Sequence, residues 1–450
     1  LMKKLTPVKI LILGYFFIIV AGAILLLMPF SRRGPLSLTD AVFTSTSAVC
    51  VTGLIVKDTP VFFTFFGKLI LLLLIQIGGL GYMTFATVFI FALGKRGSLK
   101  LRLIAAESFP ALTPGNLWRF AVNVLKITFV LEGAGALLLF TGFLIHGIGP
   151  VRAFLHSIFI SVSAFCNAGF ATFSDSLVSF RGNLIVNLTV MALIFIGGIG
   201  FFVIMELYER FILKTRKKLS LHTKAVLSIS GVLIASSTLF FFTYESIYGF
   251  GGYNWIERLF SAMFQAITPR TAGFNTIDLN LFHPASLFLL MVLMIIGGSP
   301  GGTAGGIKTT TFYAYLAWIK AYFHRKEPVF HGYRIPDESL KRSVTILIIT
   351  TLVILSSGFL LSITELEGIQ KNGLLPYLFE IASAFGTVGL SLGSKTMANV
   401  SLAADFSILG KWIIITLMLI GKVGVLSLVA LISEIKPEPV RHVEGKYIVG

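Results

Sequence analysis

Charge is what this sequence has least of. Of its 450 residues 13% are charged and only 20 are acidic, whereas a soluble chain carries roughly a quarter charged residues. With 55% hydrophobic residues beside that scarcity, an ordinary soluble enzyme is excluded and little sequence remains for a soluble domain. Cysteine is nearly absent too. Cys50 and Cys166 make no disulfide framework and have no metal-ligand spacing, and seven scattered histidines add no zinc motif. The apolar segments hold no carboxylate pair, nucleophile–base set or metal cluster, so the chain is not read as an enzyme.

What is present is a succession of apolar stretches of about 20 residues, recurring from position 8 to position 431. They predict an all-α polytopic membrane protein. The first run, 8–28, exceeds a signal-peptide core and lacks a small-residue cleavage site, so it is read as a retained helix. The net charge of +17 is a matter of topology. Basic clusters occur around Lys3, Lys95, Lys214, Lys320 and Lys436. The segments between them hold Asp40, Asp58, Asp175, Glu245, Glu257, Asp278, Glu365 and Glu367. An excess of Lys and Arg marks the cytoplasmic side, which places both termini and the basic loops there, in a multi-pass protein of the cell membrane. Because the charge is divided among short loops, no nucleic-acid partner is expected; anionic lipid fits better.

Four segments align on a glycine: "SAVCVTGL" on Gly53, "SAFCNAGF" on Gly169, "ITPRTAGF" on Gly273 and "SAFGTVGL" on Gly389, at spacings of 116, 104 and 116 residues. A second marker follows each: "IGGLG" from Ile77, "IGGIG" from Ile196, "IGGSP" from Ile296 and "IGKVG" from Ile420. Two markers in register predict a fourfold internal repeat. Each unit reads as a helix from the cytoplasm (8–28, 117–145, 223–244, 344–363), a short segment (38–49, 151–165, 255–268, 374–385) and a returning helix (68–93, 184–211, 285–322, 406–432). The short segments cannot span and are expected to be re-entrant. The expectation is eight spans and four re-entrant pore helices around a pseudo-fourfold pore. The repeats are 1–94, 95–213, 214–326 and 327–435, with a cytoplasmic tail at 436–450.

Non-helical backbone at membrane depth persists only where protein buries it or it lines a watery cavity. Four such stretches around one axis would offer backbone carbonyls to a passing ion, and the C-terminal end of each short helix favours a cation. Glycine permits the conformation and the close approach. A carrier with a midplane site and alternating access, an ion-coupled symporter, is the alternative. Its inverted repeats would alternate in orientation, whereas all four units here start on the basic side.

"GTVGLS" from Gly386, "TPRTAGFN" from Thr268 and "FCNAGF" from Phe165 carry a resemblance to the Trk/Ktr/HKT superfamily of potassium transporters. Over nearly the whole chain it most resembles the bacterial Ktr-type membrane subunit. The resemblance implies potassium uptake through a selectivity filter with one glycine per repeat: Gly53, Gly169, Gly273 and Gly389. Carbonyls would come from Val51, Thr52, Asn167, Ala168, Thr271, Ala272, Thr387 and Val388. Some sodium-preferring relatives have serine at the first glycine, so Gly53 favours potassium. The resemblance also implies a homodimer bound to a cytosolic nucleotide-binding regulatory ring. No cofactor is expected in this chain; potassium is the transported ion, with sodium as a coupling or competing ion.

Within the returning helix of the third unit lies "GGSPGGTAGG", Gly297 to Gly306. A continuous 285–322 helix would reach about 57 Å, against a hydrocarbon core of about 30 Å. Proline and six glycines make helix costly there, so it is expected to break. A phosphate loop would need lysine directly after the last glycine, where Ile307 stands. The resemblance implies an intramembrane loop at 297–308 that obstructs the pore, with Gly297, Gly298, Pro300, Gly301, Gly302, Gly305, Gly306 and Lys308 as gate residues. Lys422 aligns with Gly79, Gly198 and Gly298, in the layer where that loop begins. An intramembrane lysine usually faces a cavity or a partner. Lys422 is expected to hydrogen-bond loop carbonyls and share the barrier.

Overall fold

The computed structural model describes residues 7–81, 117–214 and 218–425. The tail at 436–450 and the basic cluster around Lys95 lie outside the described residues. Helices α1 (Pro7–Leu27), α2 (Leu38–Val49) and α3 (Phe65–Leu80) come first, then α4 (Leu117–Ile145), α5 (Pro150–Phe165), α6 (Leu184–Ile199) and α7 (Phe201–Leu207). The third group is α8 (Leu221–Tyr248), α9 (Trp255–Ile267), α10 (Pro284–Ile295) and α11 (Thr309–His324). The last is α12 (Asp337–Thr364), α13 (Leu375–Gly386) and α14 (Ile408–Val423). Between α11 and α12 a small antiparallel hairpin pairs Val329 with Arg334 and Phe330 with Tyr333.

Among the described residues three helices are long and apolar enough to cross a membrane: 120–145, Leu221–Tyr248 and Asp337–Thr364. A bent pair, Leu184–Ile199 with Phe201–Ile212, makes a fourth. Large apolar side chains point outward, with Phe16, Phe17, Leu137 and Phe359 each more than 60% exposed. Such a surface suits lipid, not water. Without a hydrophobic gain between helices in lipid, close packing over small residues must hold the bundle together. The first glycine of the second marker meets that need in three places. A Cβ at Gly78 would lie 2.0 Å from the Val49 carbonyl oxygen, and one at Gly197 or Gly421 would lie 1.9 Å from that of Phe165 or Phe385. Each of those oxygens belongs to the final turn of a short helix.

The second helices begin in a shared manner. Thr64, Asn183 and Ser407 cap α3, α6 and α14 with their side chains. The same positions tie back to the first helix of their group or to the residues just past its end. Thr64 Oγ1 donates to Phe30 O (2.5 Å), Asn183 Nδ2 to Gly142 O (2.9 Å), His283 N to Glu245 Oε1 (3.3 Å) and Ser407 N to Glu365 Oε1 (3.0 Å).

Three helices, those expected at 68–93, 184–211 and 406–432, depart from their expected course. The 68–93 segment stops being helical at Gly81, beyond which it leaves the described residues. The 184–211 segment bends by 105° at Gly200. Both glycines close the second marker and have positive φ, 73° and 98°; Gly424 does the same after α14 at 88°. Glycine reaches that left-handed region without steric cost, so the marker ends a helix as well as packing one.

Candidate functional site

The stretches after α2, α5, α9 and α13 share one backbone pattern. Two residues before each aligned glycine the chain turns left-handed, at Val51 (φ 50°), Asn167 (58°), Thr271 (74°) and Thr387 (50°). At Gly53, Gly169, Gly273 and Gly389 it has positive φ again, at 93°, 70°, 74° and 92°. Three of the first four residues are β-branched, for which such a conformation is an outlier, sustained only where surroundings over-determine it. The N–H groups between these points turn back onto the helix: Thr52 to Ser47 O, Ala168 to Ser163 O and Val388 to Ser383 O at 2.8 Å, and Ala272 to Thr268 O at 2.9 Å. Ser47 and Ser383 hydroxyls accept the Gly53 and Gly389 N–H groups. The residue after each glycine, Leu54, Phe170, Phe274 or Leu390, is an anchor at most 2% exposed.

The four stretches meet in a closed cycle. A Cβ at Gly53 would lie 2.6 Å from Ala168 O, at Gly169 2.8 Å from Ala272 O, at Gly273 2.3 Å from Val388 O, and at Gly389 2.1 Å from Thr52 O. Each glycine thus abuts the carbonyl just before the next glycine, and the last returns to the first. Any side chain at these positions would strike neighbouring backbone. All four glycines line one cavity of about 520 Å³, with Asp58, Asp175 and Asp278 on its wall. Those carboxyls raise the local cation concentration. Burial pushes the Asp58 carboxyl above the usual aspartate range, against the pull of the Ser174 hydroxyl donating to it at 2.7 Å.

Beneath this ring the expected break between α10 and α11 is present, and residues 297–308 fold into a compact loop. A Cβ at Gly297 would lie 2.0 Å from Gly305 O, at Gly298 2.3 Å from Ala304 Cβ, and at Gly305 2.3 Å from Thr387 Oγ1, so the loop abuts the left-handed residue above it. Neighbouring helices hold it. Ser299 N donates to Gly198 O (2.9 Å), Thr303 N to Gly197 O (3.3 Å), Gly306 N to Gly421 O (3.3 Å), and Phe201 N to Gly301 O (3.0 Å). Gly302 lies against Gly197 O, and Gly200 against Pro300 O. Two lysines take loop carbonyls: Lys308 Nζ donates to Ala304 O (2.6 Å), and Lys422 Nζ donates to Thr303 O (2.7 Å). The expected hydrogen bond from Lys422 to the loop is therefore present.

Among the described residues four carboxylates are buried, Asp40, Glu132, Glu245 and Glu380, and two of them lie on α4 and α13 close to the ring. Glu132, 5% exposed on α4, accepts from Gln76 Nε2 at 3.1 and 3.2 Å and faces the Cys166 thiol at 3.8 Å. Glu380, fully buried on α13, accepts from Ser391 and from Ala403 N. An acid inside an apolar segment is the one signal that marks them in the sequence. Arg270 is buried with Nη1 and Nη2 unpartnered, and nothing in the structure explains it.

A helical membrane bundle that gathers four glycine turns over a lysine-pinned loop belongs to the class of cation-transport membrane proteins. The chain is a member of the TrkH family, described as cation transport proteins, whose family model matches residues 6–441. It is 36% identical over 454 residues to Ktr system potassium uptake protein B of Bacillus subtilis, covering 99% of this chain and 97% of that one. Against the potassium/sodium uptake protein NtpJ of Enterococcus hirae it is 37% identical over 434 residues, 95% of this chain and 93% of the relative. Its fold is similar to the crystal structure of the potassium transporter TrkH from Vibrio parahaemolyticus, with a TM-score of 0.73 and 21% identity over 96% of this chain and 86% of that one.

Proposed function

We propose that this chain is the gated, pore-forming membrane subunit of a potassium-uptake system. Its architecture is four helix–pore loop–helix units of two spans each around a pseudo-fourfold axis, with both termini in the cytoplasm. The filter is built from Val51, Thr52, Gly53, Asn167, Ala168, Gly169, Thr271, Ala272, Gly273, Thr387, Val388 and Gly389. Their carbonyls replace the hydration shell of a dehydrated cation. The single observation that carries this reading is the closed cycle of glycine–carbonyl contacts. The loop at 297–308, held by Lys422 and Lys308, is the gate, and a lysine ammonium beneath the filter adds an electrostatic barrier to potassium.

The names of two relatives, a Ktr system component and a potassium/sodium uptake protein, bear on partners and ions. A homodimer bound to a cytosolic nucleotide-binding ring would supply regulation. Sodium, named for the second relative at 37% identity, is the ion whose coupling or competition needs testing.

The test is rubidium-86 uptake into liposomes reconstituted with the full chain, competed with potassium, sodium and lithium. Rubidium flux that potassium suppresses and lithium does not is the expected result, and Gly53→Ser should lower the potassium-over-sodium preference. No preference among the three ions in the parent protein would overturn the reading.

A further inference from the structure

The filter ring is not braced equally on all sides. Nine residues before the aligned glycine stand Thr44, Ile160 and Phe264 in the first three units, but Glu380 in the fourth. Its carboxylate is fully buried. Oε2 accepts the Ser391 hydroxyl at 2.7 Å, and Oε1 accepts the Ala403 N–H at 3.0 Å. Ser391 lies two residues beyond Gly389, and its oxygen also accepts the N–H groups of Leu402 (2.9 Å) and Gly393 (3.2 Å). One carboxylate thus joins the strand leaving the last glycine to the turn at 401–403.

That turn reaches the first unit. Ser401 N donates to Ile55 O at 2.9 Å, and Ile55 N donates to Ser401 Oγ at 2.9 Å. Ile55 lies two residues beyond Gly53, as Ser391 does beyond Gly389. Glu380 therefore sits at a hub with one arm on each of two adjacent filter strands. The seam it spans is where Gly389 faces Thr52 O, the tightest of the four: a Cβ at Gly389 would lie 2.1 Å from that oxygen. A buried carboxyl group stripped of its hydrogen-bond partners is left unsatisfied, which is costly. That cost holds the strands to one spacing.

We propose that Glu380 is a positioning residue for ion selectivity: through Ser391 and the 401–403 turn it sets the separation of the fourth and first filter strands. This rests on the filter reading above, within which it assigns the seam that controls discrimination. Glutamine at 380 replaces one carboxylate oxygen by an amide NH2 donor, and its single remaining acceptor oxygen can serve Ser391 or Ala403 but not both. Ser391→Ala removes the hydroxyl donated to Glu380 together with the acceptor of the Leu402 and Gly393 N–H groups, and leaves the Ala403 contact in place. Ser391→Thr keeps the hydroxyl.

The experiment measures the ratio of rubidium to sodium uptake in liposomes, normalised to folded protein by size-exclusion recovery, for Glu380→Gln, Ser391→Ala, Ser391→Thr and Gly389→Ser. The expected result is a fall in the ratio of about fivefold to tenfold in Glu380→Gln and Ser391→Ala, the scale of one lost hydrogen bond, with Ser391→Thr near the parent. If Glu380→Gln fails to fold, Ser391→Ala decides alone. An unchanged ratio in Ser391→Ala, with Gly389→Ser altered, overturns the positioning role and leaves the filter intact. An unchanged ratio in Gly389→Ser as well overturns the filter reading itself.

Discussion

The ring of glycines and the layer beneath it are built on opposite principles. In the ring all four units repeat one local geometry: left-handed two residues before the glycine, positive φ at the glycine, and contact with the next unit's carbonyl. In the layer below, equivalent positions have diverged. Gly79 and Gly198 stay in helices, Gly298 opens a loop, and Lys422 reaches that loop with its ammonium. A site that coordinates a spherical ion gains from equivalent ligands on every side. An obstruction needs only one unit to cross the axis and another to hold it.

The largest expected effect comes from breaking the ring. Gly389→Ala adds a Cβ 2.1 Å from Thr52 O at φ 92°. Rubidium uptake should fall about tenfold or more, the scale of a strained backbone position. Gly393→Ala sharpens the comparison, because φ there is 79° but the nearest atom would be 3.8 Å away. If the two variants lose uptake equally, backbone strain alone explains the loss and the cycle of contacts is irrelevant.

The lower layer should respond in the opposite direction. Lys422→Ala removes the hydrogen bond to Thr303 O, and deletion within 297–308 removes the proposed obstruction. Each is expected to raise potassium flux, by about tenfold for the lysine if one charge-assisted bond holds the closed state. Parent-like flux in both variants would show that the loop and Lys422 form no barrier.

The smallest effect lies at the outer rim, where the fourth unit lines the cavity with Lys395 and no aspartate. Burial would raise the Asp405 carboxyl. The Ser394 and Thr396 hydroxyls and the Lys395 and Thr396 N–H groups outweigh it and hold the group below the usual aspartate range. A depressed carboxyl contributes stability above its unfolded value, and that contribution is lost as pH falls through the folded one. The melting temperature of the parent should exceed that of Asp405→Asn near neutral pH, and the gap should close as pH drops below about 4. A gap of constant size down to strongly acidic pH would mean that the carboxylate charge does not order this turn.

Much of this is legible in the residues alone. The short helix expected at 38–49 is Leu38–Val49, and the long one expected at 117–145 is Leu117–Ile145. Spacing alone aligns the four glycines, and the glycine-rich stretch announces its own helix break. The bend at Gly200 is not legible, because a glycine within an apolar run reads equally as helix packing. Neither is the role of Glu380, whose partners Ser391 and Ala403 lie 11 and 23 residues away.

Composition and periodicity by themselves determined that the chain is a helical membrane protein, that a motif recurs four times, and where regular helix must fail. These are local properties, set by apolar length and by the conformational freedom of glycine and proline. Only the tertiary structure decided that the four motifs close on one another in cyclic order, that Lys422 reaches Thr303, and that one buried carboxylate ties the first and last strands together. Those facts depend largely on contacts between residues about a hundred or more positions apart, and in lipid such contacts come from backbone fit and hydrogen bonding, which leave no periodic trace in a sequence.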